Sequence, residues 1–443
     1  MKPTFKGGIH VTEYKNTRGA AIETMPAPQF VTIPLSQHIG APAAPVVAKG
    51  DYVAYAQVIG KVENGLGCPV HASVSGTVKE IKTIENTVGR SVQAVVIEND
   101  GLYTLSEEVK PFPKPLAKTT ASEIVDMIRE AGISGMGGAT FPTYAKLQSA
   151  IGKVDTLIIN CAECEPFITA NHRVMLERPQ EIIGGAEILM HALGLSSATI
   201  AVEDNKPDAI AKLQECTTPQ IRVVALKTKY PQGDERQIIY ALTKRELAGG
   251  KLPADVGCVI FNAETTAAVW HAFYHGMPLC KRVVTVDGDC IARPTNVLVH
   301  IGTSYRDLFR YCGGLIREPE RVINGGPMMG FTQWNIDAPI TKGASAILVF
   351  SKDFAAKGEN RQVFACIRCG RCVAHCPMHL MPQMLVQLSQ QRRYEDMKEF
   401  NVMSCVECGT CSYGCPGSMP IVEYIRVAKA ALRAAAMKGG DKK

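Results

Sequence analysis

Residues 366–377 read CIRCGRCVAHCP and residues 405–416 read CVECGTCSYGCP. Each run spaces four cysteines two, two and three residues apart and closes on a proline. Thiolates at this spacing do iron–sulfur chemistry. Three wrap a turn of backbone around a cubane, and in sequences with two runs the fourth ligates the other run's cluster. One [4Fe–4S] cluster is therefore assigned Cys366, Cys369, Cys372 and Cys415, and the other Cys405, Cys408, Cys411 and Cys376. Gly370 and Gly409 let the backbone approach inorganic sulfide closely. Zinc is the competing chemistry, but it asks for two CxxC pairs per ion rather than a doubled run with trailing prolines. The runs read as one-electron carriers.

A second constellation lies upstream. Residues 132–147 read GISGMGGATFPTYAKL. Such bare backbone can lie flat on a planar ring or aim N–H groups at a phosphate. A helical pattern precedes it and another follows, with Lys146 placed to reach a phosphate. The next strand candidate ends in NCAECEP (Asn160–Pro166), which brings two carboxylates and an amide to the ligand edge of a sheet. VEDNKP follows another strand. An acidic side chain there holds a ribose hydroxyl and repels a 2′-phosphate, so Glu203 or Asp204 favours NAD(H) over NADP(H). A solvated turn is the competing reading. Cys161 and Cys164 form a CxxC, but no thioredoxin-like context surrounds it, so a redox dithiol is not favoured.

The elements that must position these groups follow from periodicity. To about residue 112, short alternating segments (DYVAYAQVIGKV, HASVSGTVKEI, SVQAVVIEN) broken by Gly and Pro predict a small β sandwich or barrel. PFPKPLAKTT is a proline-rich linker. From 113 to 278, apolar strands (DTLIIN, ATIAVE, IRVVAL, CVIFN) alternate with amphipathic helices, which means βαβ units and a parallel sheet. A small α+β module occupies 279–350, the cysteine region 351–420, and a basic amphipathic helix 421–443. Ile421, Tyr424, Ile425, Ala428 and Leu432 lie on one face of that helix.

The Gly-rich loop and acidic stretch together resemble the flavin and nicotinamide site of the NADH-oxidising subunits of respiratory complex I. Gly135, Gly137, Gly138, Phe141, Pro142, Thr143 and Lys146 fall on that family's first motif. Asn160, Glu163, Glu165 and Pro166 fall on its second. YPQGDE (Tyr230–Glu235, including Asp234 and Glu235) and NAETT (Asn262–Thr266, including Asn262 and Thr265) match two later segments. The resemblance implies non-covalent FMN along Gly135–Gly138, with Lys146 at its phosphate. It implies NADH over the flavin near Phe141, steered by Glu163 and Glu165, with Glu203 of the VEDNKP turn joining them on the reading above. Ala162 and Cys164 stand where the family has Asp and Ser, two positions that usually make polar contacts to the flavin phosphate or ribityl chain. No protein acid or base is needed for hydride transfer.

The domain order, from GGIH near the start to the doubled cysteine runs, resembles the RnfC family of Rnf complexes over nearly the whole chain. That implies a multidomain α/β and β protein. Its parts would be an N-terminal barrel–sandwich hybrid (1–112), a Rossmann-like parallel α/β flavin domain (113–278), an SLBB-like β-grasp module (279–350) and a helical two-cluster ferredoxin domain (351–420). It also implies exchange of electrons between NAD(H) and ferredoxin, coupled to Na⁺ or H⁺ movement by membrane and iron–sulfur partner subunits. The alternatives are a soluble reductase of the same modules, such as a microcompartment cobalamin reductase, and a non-catalytic iron–sulfur carrier.

Bulk properties agree. Net charge is +6 with 46% hydrophobic and 20% charged residues, and no Lys/Arg stripe interleaves with aromatics, so nucleic-acid binding has no support. The start lacks a secretory h-region and no apolar run is long enough to span a membrane. The expected place is the cytoplasmic face of the membrane, peripherally bound, with the basic tail a candidate for a partner or anionic lipid, or else a cap on the ferredoxin domain.

Overall fold

The computed structural model describes residues 2–354 and 362–440, with side chains to residue 437 in the last helix. Residues 355–361 and 441–443, within the expected cluster domain and tail, lie outside the described residues.

The barrel–sandwich forms from two antiparallel sheets. One orders Phe30–Pro34, Ser91–Asn99, Gly76–Glu85 and Tyr52–Val53; the other orders Ala44–Pro45, Val58–Lys61 and Val70–His71. Alternation puts Val31, Ile33, Val95 and Ile97 wholly inside. The chain before Phe30 belongs elsewhere. Ile22–Thr24 pairs in parallel with Thr295–His300 and so extends the β-grasp sheet, and residues 2–15 run across the flavin and cluster domains.

The flavin domain is a four-stranded parallel sheet ordered Ile221–Leu226, Ala198–Glu203, Thr156–Cys161, Cys258–Asn262. These strands read as continuous apolar runs because helices cover both faces. The linker ends at Thr120, whose hydroxyl and backbone form a capping box with Glu123 and start the helix Ala121–Glu130. The β-grasp module wraps a mixed sheet around the helix Tyr305–Tyr311.

The cluster domain is helical. Its two runs fold as copies: Arg368 and Glu407 are left-handed (φ 55° and 57°), as are His379 and Ser418 (both φ 52°). The helix Ile421–Gly440 buries Ile421, Val422, Ile425, Ala428 and Leu432 against the helix Pro382–Gln390 and its neighbours. Lys429 is buried too, donating to Cys405 O at 2.8 Å and pairing with Glu407. The tail therefore caps the cluster domain. Its residues Ile421, Val422, Ile425, Ala428 and Leu432 are occupied by that core, while Val427 and Met437 stay exposed.

The helices Pro179–Leu193 and Ala263–His275 pack with almost no gap. A Cβ on Gly185 would stand 2.0 Å from Thr266 O. Gly185→Ala gains about 1 kcal/mol of helix propensity, but overpacking costs roughly 1–3 kcal/mol, and a backbone carbonyl cannot turn aside. Urea unfolding should show a net loss of up to about 2 kcal/mol; a more stable variant would refute this packing.

Candidate flavin and cluster sites

Strand order reverses between Thr156–Cys161 and Cys258–Asn262, which is where a parallel sheet opens its ligand crevice. Asn160 and Asn262 are register partners across it. The Gly-rich loop lies over this point. Met136 N donates to Thr265 Oγ1 at 2.9 Å, and Gly135 N donates to Phe141 O at 2.8 Å, closing the loop on itself. Gly137, at φ +90°, lies beside Asn262, where a Cβ would stand at an ordinary contact distance of 3.5 Å from Nδ2. Gly138, at φ +80°, faces open space, and Phe141 is partly exposed beside it. The hydroxyls of Ser134 and Thr143 and the Gln232 amide nitrogen are buried without a partner among the described residues. A side-chain-free cradle with orphaned polar atoms at the switch point fits a flavin.

Most of the predicted acidic residues hold backbone in place. Glu163 accepts from Asn171 N (2.7 Å) and His172 N (3.2 Å) at the start of the helix Ala170–Glu177. Glu165 accepts from Met328 N (3.1 Å) and Met329 N (2.9 Å) of the β-grasp module. Asp234 and Asn262 cap the helices that follow them. Glu203 is fully buried and pairs with Lys206 at 3.0 Å. Asp204 bonds Thr228 and Lys2. Lys146 pairs with Glu235 and lies 5.8 Å from the Phe261 ring centroid. Burial pushes the Cys161 and Cys164 thiols far up, which makes them poor nucleophiles. Asn160 Nδ2 donates to Gly233 O at 2.8 Å, tying the Asn160–Cys164 loop to the Tyr230–Glu235 loop.

Lys15 was missed by sequence reasoning. Its ammonium donates to the carbonyls of Glu163 (2.9 Å), Glu165 (2.8 Å) and Ile168 (2.6 Å), gathering the whole acidic loop around one cation. The pairing spans about 150 positions, and no local pattern announces it.

The cysteines divide in two. Cys376, Cys405, Cys408 and Cys411 line one cavity, with Pro377, Met378 and Gly409 among its walls. Burial pushes Cys408 to about 11 and Cys376, Cys405 and Cys411 upward. Such thiols ionise when bound metal supplies the opposite charge. Backbone N–H groups of Glu407 and Leu380 point at Cys405 Sγ and Cys376 Sγ (both 3.4 Å), the donors that tune cluster potentials. A soft four-thiol cavity with N–H donors fits an iron–sulfur cluster. Cys366 and Cys369 are exposed, and Cys372 and Cys415 are half-buried. The cavity abuts the flavin domain: Tyr230 Oη donates to Cys408 O at 2.7 Å, and Gln237 Nε2 to Pro377 O at 3.3 Å.

A flavin cradle with a four-thiol cavity docked on it defines a flavin and iron–sulfur electron-transfer protein. Models of known families match in the same order: the RnfC barrel sandwich hybrid domain (3–102), the Nuo51 FMN-binding domain (128–271), the SLBB domain (283–332) and the 4Fe-4S dicluster domain (359–416). The chain is 46% identical to the RnfC-type component of the proton-translocating ferredoxin:NAD(+) oxidoreductase complex of Clostridium ljungdahlii, over 98% of this chain and 95% of that one. It is 43% identical to the Na(+)-translocating counterpart of Acetobacterium woodii, over 98% of both. The equivalent component of the ion-translocating oxidoreductase complex of Vibrio cholerae is 39% identical over 90% of this chain and 52% of its own length. A chain of an NAD+-reducing [NiFe]-hydrogenase shares the fold at TM-score 0.51 and 17% identity, over 75% of this chain and 69% of that one. The chain belongs to the RnfC family of the ion-translocating ferredoxin:NAD(+) oxidoreductase (Rnf) complexes.

Burial pushes the Glu165 carboxyl from 4.5 up to about 7. Between these values the folded chain keeps a proton that the unfolded chain has released, so this group's contribution to stability falls as pH rises from about 4.5 to about 7. Glu165→Gln removes that dependence. The variant's stability relative to wild type should climb across the interval by on the order of 2–3 kcal/mol; parallel melting profiles would show that Glu165 does not titrate there.

Proposed function

We propose that this chain is the NAD(H)-facing component of an Rnf-type complex, exchanging hydride with NAD(H) and passing single electrons to or from partner subunits. The observation that carries it is the contact of Tyr230 with Cys408 O, which seats the four-thiol cavity directly on the loop bordering the flavin cradle. FMN held in the cradle would supply exchange of hydride with nicotinamide and of single electrons with iron–sulfur clusters.

The residues of this chain supply position and surroundings. Gly135, Gly137 and Gly138 leave room for the flavin ring beside Asn160, Asn262 and Thr265. Phe141 offers an aromatic face to the nicotinamide. Lys146 and Glu235, paired with each other, stand ready to meet the phosphate and ribityl groups. Glu163, Glu165, Glu203 and Asp234 keep the surrounding loops in register. Cys405, Cys408, Cys411 and Cys376 hold one cluster, and Cys366, Cys369, Cys372 and Cys415 the other. No helix among the described residues is long and apolar enough to cross a membrane. The chain takes a peripheral place on its membrane complex, at the cytoplasmic face where NAD(H) is found. Its relatives are named for different ions at similar identity, so ion choice rests with other subunits.

Anaerobically reconstituted protein should contain FMN, bleach its flavin with NADH at least about tenfold faster than with NADPH, and then show reduced-cluster EPR signals. Absence of bleaching would leave only an iron–sulfur carrier. Cys376→Ser should lose roughly half the iron, specifically the EPR signal that Cys405→Ser also removes. If it instead removed the signal lost in Cys369→Ser, the crossed ligation would be wrong.

A further inference from the structure

Residues 2–15 precede the barrel and contribute nothing to its sheets. They lie instead along the seam between the flavin and cluster domains. On the flavin side, Lys2 pairs with Asp204 at 2.9 Å, Lys227 N donates to Pro3 O at 3.0 Å, and the Lys229 ammonium lies 4.7 Å from the Phe5 ring centroid. Ile9 and Tyr230 exchange both backbone hydrogen bonds at 2.9 Å. On the cluster side, Gly8 N donates to His375 O at 2.8 Å, next to Cys376. Gly8 has φ +72°, and a Cβ there would stand 2.6 Å from Tyr230 O and 2.7 Å from the Phe5 ring. Phe5 and Ile9 are buried in the seam. One stretch of chain is thus bonded at adjacent residues to the Tyr230 loop and to the segment carrying Cys376.

We propose that residues 2–15 form a latch that holds the four-thiol cavity at its working distance from the flavin cradle, with Gly8 as the positioning residue. The proposal rests on the function proposed above. Electron transfer weakens steeply with separation, so a change in the spacing of the two domains slows it. The remaining ties, Tyr230 to Cys408 and Gln237 to Pro377, keep the domains together when the latch is loosened, so loosening slows transfer without dispersing the cofactors.

The test is Gly8→Ala in the full reconstituted chain, with Gly19→Ala as control because a Cβ there meets nothing within 4 Å. Iron and flavin contents and the rate of flavin bleaching by NADH should match wild type. Cluster reduction, followed by freeze-quench EPR, should slow severalfold. Hydrogen exchange in peptides covering 5–10 and 371–380 should rise in Gly8→Ala, with or without clusters. Wild-type cluster kinetics, or unchanged exchange, would overturn the latch. If Gly8→Ala does not accumulate, Ile9→Ala loosens the same seam and is read by the same two outcomes. Failure of NADH to bleach wild-type flavin would sink the proposed function instead, and the exchange measurement separates the two.

Discussion

Lysine ammonium groups withdrawn from water hold the working edge of this protein together. Burying such a charge costs several kcal/mol unless acceptors surround it, whereas each hydrogen bond to a charged donor returns roughly 1.5–3 kcal/mol. Lys15 meets the requirement with three carbonyls of the loop 163–168. Fully buried Lys342 donates to Pro69 O at 3.1 Å and Gly132 O at 2.7 Å, where the Gly-rich loop begins. Fully buried Lys206 pairs with Glu203. The acceptors must converge on each cation, so loops that would otherwise be free to wander are fixed in one arrangement.

These cations come from different parts of the chain. Lys15 arrives on the N-terminal segment and Lys342 from the β-grasp module, and Lys342 draws the barrel, the flavin domain and its own module to a single point. The flavin cradle is therefore completed by its neighbours. Glu165 extends the same logic outward: it accepts from Met328 and Met329, and a Cβ on Gly409 would lie 3.3 Å from Met328 O. The acidic loop, the β-grasp loop and the cluster domain thus form a continuous packed path. Rigid support on this scale suits a protein whose chemistry is performed by its cofactors and whose own task is to position them.

Much of the architecture was legible from local pattern. The four strands of the parallel sheet, the switch-point loop and the doubled cysteine runs all carry signals within short stretches of chain. Individual roles of the acidic residues were less legible. Glu163, Glu165 and Glu203 read as nucleotide contacts because carboxylates at strand ends often are; the structure adds the backbone donors and the lysine that hold them in place. A carboxylate at a strand end looks the same in sequence whether it faces a ribose or the start of a helix. The tail reads as amphipathic in either setting, and only the helix Pro382–Gln390 packed against it shows what covers its apolar face.

The sequence by itself determined the chemistry: thiol spacing selects an iron–sulfur cluster, and bare backbone at a sheet's switch point admits a flat ring, because both depend on neighbours along the chain. Only the tertiary structure decided the connections. That residues 2–15 cross to the flavin and cluster domains, that Lys15 and Lys342 anchor loops from outside the flavin domain, and that Cys376 joins Cys405, Cys408 and Cys411 around one cavity are facts of long-range packing. They follow from the need to give every buried charge and backbone donor a partner, and such partners can stand hundreds of residues away.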